Sequence, residues 1–457
     1  MTLTDRRPLL FALTSLVLVA VMLMWRGHPG ALAIPVVIFG APLFALYVLH
    51  RPILILSMFL LVVVNLDFLR IGGEDGISFD IVLSMVLLYG FLVRVLLKPG
   101  ESQSPGLEFL MVLFLLVAGA SVLVSVFPAQ SLKRWGRELE YVVIFAFLMR
   151  FALTAVHRKQ ILLAILLSSI FPAVVAILGY FLGIQAFLGQ ELYIESLVVG
   201  EARARGTLSH PTTLALYLMV VGLVTFALVL RPKYFSRAFL VPLFSLQMLA
   251  FYLSYARTGW IAFFIAALVV AWMLGYRKWL VLLVPVALFA AWKILPNFQE
   301  RLLTATATGQ ENSLLWRFGL WAYSLDIFPR RPVLGSGVGT FIDYVSYQQG
   351  FAAHQTWIRL LLETGVIGCA TFLGLTLAMG RKLKKAVNGW DGFQVGVFGA
   401  WVGMMVGSLG AGTFGLPSVA VYFWVLVALA INPLGKQEPN SETSDETILD
   451  LSPGSQV

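Results

Sequence analysis

Disulfides are excluded first. The 457 residues contain a single cysteine, Cys369, so no intramolecular pair can form, and cysteine usage says nothing about redox compartment. Charge is scarce as well: charged residues make up 12% of the chain, against about 25% in soluble domains. Metal-binding patterns are missing. There is no His-Glu-x-x-His, no Cys/His cluster and no Asp-x-Asp, and the short segment "RGHPG" at 26–30 carries no carboxylate. No soluble basic stretch interleaved with aromatics exists to hold nucleic acid. The net charge of +9 is therefore read as positive-inside bias and contact with lipid phosphates. No acidic residue sits clearly at mid-membrane, where ion-coupled transporters carry one.

What remains is apolar. Hydrophobic residues make up 59% of the chain and the mean hydropathy is +0.88. A spanning helix needs about 20 mostly apolar residues. Candidate spans fall at 8–25, 31–49, 52–69, 79–97, 107–127, 140–154, 160–183, 211–230, 238–255, 258–275, 278–294, 356–379, 394–410 and 416–433. The expected fold is an all-α polytopic membrane protein with 12–14 transmembrane helices. The first run is too long for a signal-peptide core and is read as an uncleaved helix, although "ALA" at 31–33 resembles a cleavage site.

Lys and Arg set the orientation. With the N-terminus inside, the inner loops hold Arg6/Arg7, His50/Arg51, Lys98, "HRK" 157–159, "RPKYFSR" 231–237, "YRK" 276–278 and "RKLKK" 381–385. Apart from Lys133 and Lys293, the outer positive charge is all arginine. A guanidinium binds phosphate oxygens bidentately and an ammonium does not, although snorkelling to lipid headgroups accounts for about half of such arginines. Two outer loops are long, 184–210 and 295–355, and the second is rich in aromatics with helical stretches expected near 311–328. Residues 1–433 are expected to form one transmembrane domain and 434–457 a disordered acidic cytosolic tail.

Arg203, Arg205, His210, Arg257 and His354 all fall on the outer side, at helix mouths far apart in sequence. Each taken alone reads as an interfacial or loop residue. Their convergence points to an anionic ligand. Arg359 and Glu363 stand four apart and are expected to pair on one helix face, with Glu363 also placed to orient a histidine or a substrate hydroxyl. "GSGVGTF" at 335–341 lacks the Gly-Lys-Ser/Thr of a P-loop. It is expected to be a flexible turn, or a strand of backbone N–H groups offered to an anion.

These pieces resemble the O-antigen ligase/O-antigen polymerase superfamily of bacterial envelope proteins. The resemblance rests on "RARGTLSHPTTLALYL" (203–218), "SYARTGWIAF" (254–263), and "GSGVGTF" followed by "HQTWIRLLLETGVIG" (354–368). Thr212 and Gln355 stand where the family commonly has asparagine. The resemblance implies a GT-C-like, inverting, metal-independent glycosyltransferase with no cofactor. Its donor would be a glycan on undecaprenyl diphosphate, presented on the periplasmic side of the bacterial cytoplasmic (inner) membrane by loops 184–210 and 295–355. The acceptor would be a glycan or the lipid A core, and other polysaccharide assembly proteins are possible partners. Carried onto this chain, Arg205 and Arg257 would clamp the diphosphate, with Arg203, His210 and Arg359 as further substrate-binding candidates. His354 would deprotonate or orient the acceptor, with Glu363 as the second catalytic candidate. A polymerase is favoured over a ligase because 203–218 looks closer to the exopolysaccharide branch. The alternative is a bicarbonate or other small-solute transporter, which should show broken polar helices at mid-membrane rather than arginines gathered on one face.

Overall fold

A computed structural model of the chain describes residues 47, 50–65, 70–71, 77–97, 100–183, 186–187, 190–191, 193–195, 202–278, 313–345, 355–387 and 391–433. The helices are α1 (Pro52–Val63), α2 (Phe79–Leu97), α3 (Pro105–Leu123), α4 (Pro128–Arg150), α5 (Ala155–Ser168) and α6 (Ile170–Leu182). They continue with α7 (Pro211–Leu230), α8 (Arg237–Leu253), α9 (Arg257–Met273), α10 (Ser313–Ile327), α11 (Phe341–Val345), α12 (Thr356–Ala386), α13 (Gly392–Gly407) and α14 (Pro417–Ile431). Eleven of the fourteen predicted spans coincide with these helices; apart from Tyr47 and Lys278, those at 8–25, 31–49 and 278–294 lie outside the described residues, as does the 434–457 tail. Among the described residues, four helical stretches are long and apolar enough to cross a membrane: Pro105–Leu123, Ala155–Leu182, Pro211–Leu230 and Thr356–Ala386. Shorter apolar helices stand beside them. The chain is an all-α polytopic membrane protein.

The apolar pattern decides which helix lies at the centre. α7 is apolar on every side, and its residues from Leu214 to Val224 are almost all buried. It packs against α8, α9, α13 and α14. α13 approaches it along a seam of glycines: a Cβ on Gly396 would meet Ala227 and Val224, and one on Gly403 would meet Leu223 and Met219. Small residues at this spacing let membrane helices pack backbone to backbone. α3, by contrast, turns Phe109, Leu116 and Leu123 outward, as a lipid-facing helix does.

Three elements differ from the hydropathy reading. α4 begins at Pro128, twelve residues before the predicted span, because its charges pair along the helix. Arg134 binds Glu138 and Arg137 binds Glu140, at 3.2 Å for the latter pair. The single span expected at 160–183 is two helices meeting at Ser169. Pro172 has no N–H to offer the Ser168 carbonyl, which accepts from Asn65 Nδ2 at 3.4 Å instead. α12 runs on to Ala386 but breaks at Gly365.

Helix direction separates the molecule into two ends. At one end the predicted inner loops meet: Lys233 pairs with Asp391 at 2.7 Å, Arg158 donates to the Asn432 carbonyl at 2.6 Å, and Arg231 lies over Tyr276. At the other end lie 124–126, 203–210, 254–258, 317–337, 356–363 and 408–415, tied to one another as described below. A reporter fused after residue 340 is expected to behave as external to the cytosol. A cytosolic signal would overturn the orientation and every site argument that depends on it.

Candidate functional site

The chain reaches the site through a short antiparallel ladder, β1 (Tyr193–Glu195) with β2 (Ala202–Ala204), in which Ile194 faces Arg203. Gly206 then turns the backbone at φ 59°, and a side chain there would meet the Pro172 carbonyl, so "RARG" lies tight against α6. Arg203 Nε donates to the Ser254 carbonyl at 3.1 Å, and Arg205 Nη1 donates to the Ser209 carbonyl at 3.2 Å. His210 caps α7, its Nδ1 accepting from Thr212 N at 3.1 Å. An accepting Nδ1 means a neutral ring with its proton on Nε2.

The second arm is the turn before α9. Tyr255 holds φ 48°, the one non-glycine residue with positive φ among the described residues, and it is packed beneath Tyr252 and Trp260. Strain of this kind persists only where the surroundings enforce it. Here it delivers Arg257 as the first residue of α9, two positions later.

The third arm comes from α10. Arg317 Nη1 donates to the Gly410 carbonyl at 3.3 Å, the same oxygen that Thr258 Oγ1 approaches at 3.5 Å. Burial, and then the charge on Arg257, lower the Arg317 guanidinium below its ordinary value. Shielding of the His210 ring by protein, then Arg203, Arg205 and Arg317, push that imidazole down to about 4. The residue keeps an exposed face, which relieves part of the burial cost, so the arginine field is the firmer cause. The structure thus brings Arg203, Arg205, His210 and Arg257 together and adds Arg317, which sequence reasoning had counted only as one outer arginine. Its signal was present: it is the only charge between Ser313 and Leu325.

Arg359 and Glu363 belong to an adjoining buried group. The two approach at 3.9 Å, too far for a hydrogen bond, so the expected intrahelical pair is loose. Arg359 lies against Gly415, whose carbonyl accepts from Arg134 Nη1 at 2.7 Å. Glu363 Oε1 accepts from Phe341 N at 3.3 Å, while its Oε2 has no hydrogen-bond partner. The connection between α13 and α14 is "GSLGAGTFGL" (407–416). It is a hub that receives Arg317, Arg134 and Thr356, the last through Oγ1 to the Ala411 carbonyl at 3.0 Å.

The glycine loop is a turn ahead of α11, as expected, but its N–H groups are not offered to an anion. Ser336 N donates to the Leu362 carbonyl at 2.8 Å, Gly337 N to the Glu363 carbonyl at 3.0 Å, and Val338 N to Ser121 Oγ at 3.1 Å. Those N–H groups are spent on the broken helix and on α3, and are not held out to an anion. Gly365 explains why: its φ of 67° and ψ of −170° interrupt α12 and release the Leu362 and Glu363 carbonyls, which the loop satisfies.

His354 lies outside the described residues. Gln355, next in the chain, caps α12 by accepting from Ile358 N. Among the described residues no three His, Cys, Asp or Glu side chains gather in one place. No curated protein matches the chain. Residues 238–373, which hold Arg257, Arg317, the glycine loop, His354, Arg359 and Glu363, match the sequence model of the family described as O-Antigen ligase. That match covers 136 of the 457 residues and makes this part of the chain similar to the O-antigen ligase family.

Proposed function

We propose that the chain transfers a glycan from undecaprenyl diphosphate to an acceptor sugar hydroxyl at the outer face of the cytoplasmic membrane, as a polysaccharide polymerase. The observation that carries this reading is the gathering of Arg203, Arg205 and Arg317 around a neutral His210 at one end of the bundle, with Arg257 close to Arg317. The leaving group of such a donor is a lipid diphosphate. Its charge grows as the bond from the anomeric carbon to the phosphate oxygen breaks, and fixed guanidinium groups stabilise that charge. Arg205 and Arg257 clamp the diphosphate, Arg203 and Arg317 add to the field, and His210 offers Nε2–H. The acceptor oxygen attacks the anomeric carbon from the opposite face, inverting it, and its proton passes to His354. Glu363 acts by position, holding Phe341 N and facing Arg359. The donor is already activated, so no metal is required. The polymerase reading is favoured by 203–218, which resembles the exopolysaccharide branch.

The test uses the purified chain in proteoliposomes with a lipid-diphosphate oligosaccharide. A ladder of extended products without lipid A core supports polymerisation; single transfer to added core, with no ladder, supports a ligase. His354→Ala is expected to lower the rate by about 100-fold or more with normal insertion, and EDTA should leave the wild type unaffected. His210, held at about 4 by the protein around it and by Arg203, Arg205 and Arg317, stays neutral near pH 7 and contributes no limb to the rate there. A wild-type rate in His354→Ala, or loss of activity in EDTA, would remove the mechanism.

A further inference from the structure

The opposite end of the bundle carries a second cationic feature that glycan transfer does not use. A cavity of about 500 Å³ opens there among Arg158, Lys233, Lys385, Asp391, Asn432 and Pro433. It lies about 30 Å from the arginine cluster, the length of the twenty-residue α7 that runs from Pro211 to Leu230. We propose that this cavity binds the phosphate headgroup of an anionic phospholipid from the leaflet facing the basic loops.

Arg158 is the central observation. It is only 3% exposed, yet it lines the cavity and its Nε has no hydrogen-bond partner. A buried guanidinium with an unused donor is costly unless an acceptor reaches it. One bland account is that these cations only cover helix-terminal carbonyls. Arg237 does so for α7, donating to the Val229 and Leu230 carbonyls, and one arm of Arg158 does so beyond α14. That account leaves Arg158 Nε and Lys385 unexplained. Asp391 does not neutralise them either: one of its oxygens caps α13 at Phe393 N and the other holds Lys233. Three cations therefore face one committed carboxylate. The cavity is also bordered by apolar helix ends, Ala386, Ala430 and Ile431, where acyl chains would lie. Basic pockets between helix ends on this side of a membrane suit anionic headgroups.

The test is native mass spectrometry of the detergent-purified full chain with dimyristoyl phosphatidylglycerol or phosphatidylcholine. Phosphatidylglycerol should be retained in preference. Lys385→Gln, at an exposed position, should weaken that retention by about fivefold, corresponding to about one cation near an anionic lipid. Arg158→Gln should abolish it where the variant folds. Equal retention of both lipids, or no effect of Lys385→Gln, would overturn the proposal. Displacement of phosphatidylglycerol by inorganic phosphate would assign the cavity to a free anion and overturn the lipid. The acidic run Glu438, Glu442, Asp445, Glu446 and Asp450 leaves the cavity rim at Pro433. If phosphatidylglycerol binds only after those five are changed to Gln or Asn, the chain's own tail is the occupant and the lipid reading falls.

Discussion

Arg257→Ala is expected to lower glycan transfer by about 10²–10³-fold, the usual cost of removing one fixed donor from a developing oxyanion. Expression and insertion should stay normal. Arg257 opens α9 from a strained turn at Tyr255, so the backbone that presents it is set by buried aromatics rather than by the arginine itself. Arg205→Ala and Arg317→Ala should fall in the same class, each removing one guanidinium from a field in which the remaining groups keep their places. Arg205→Lys and Arg257→Lys should recover only a minor part, because an ammonium supplies charge without a bidentate fork. Arg330→Ala, an exposed arginine after α10, serves as the control and should transfer at the wild-type rate. Wild-type rates in both lysine variants would remove the diphosphate clamp. An Arg317→Ala variant at wild-type rate would remove Arg317 from the site while leaving the other two in place.

Helix positions were legible because one physical quantity, the run length of apolar side chains, determines them. The arginines of "RARGT" and "SYARTG" were legible for a related reason: a charge at the end of an apolar run needs a partner. Arg317 was missed because hydropathy does not say which loop residue folds back. Its position depends on the Gly410 carbonyl, ninety-three residues further along the chain. The early start of α4 was missed because charge density was read as loop, whereas Arg134, Glu138, Arg137 and Glu140 neutralise one another along the helix and let it continue. The anion reading of "GSGVGTF" fails for the same kind of reason, although the segment is a turn ahead of a helix as expected. Glycine spacing shows that the backbone is free to turn, but not which carbonyls its N–H groups meet. Only the break in α12, invisible to hydropathy because Gly365 sits inside an apolar run, reveals them.

That break carries the second large prediction. Gly365→Ala is expected to destabilise the protein by about 3 kcal/mol or more, from backbone strain of about 1–3 kcal/mol with overpacking added to it. At φ 67° and ψ −170° the backbone is in a region that essentially only glycine occupies. A Cβ there would also press into the Val333 carbonyl and Leu334 N, main-chain atoms that cannot rotate away. Relaxing into a continuous helix would not rescue it. Val366 N would have to leave the Pro332 carbonyl, and the Leu362 and Glu363 carbonyls would have to release Ser336 and Gly337. The segment carrying Arg359 and Glu363 would swing with them, so transfer should fall along with stability. Gly374→Ala is the matched control. It lies in the same helix with open space where its Cβ would go, and alanine there should be neutral or stabilising by up to about 1 kcal/mol. Chemical unfolding in detergent, run on both variants beside the transfer assay, separates the cases. If Gly365→Ala unfolds and transfers like Gly374→Ala, the broken helix does not hold the site together.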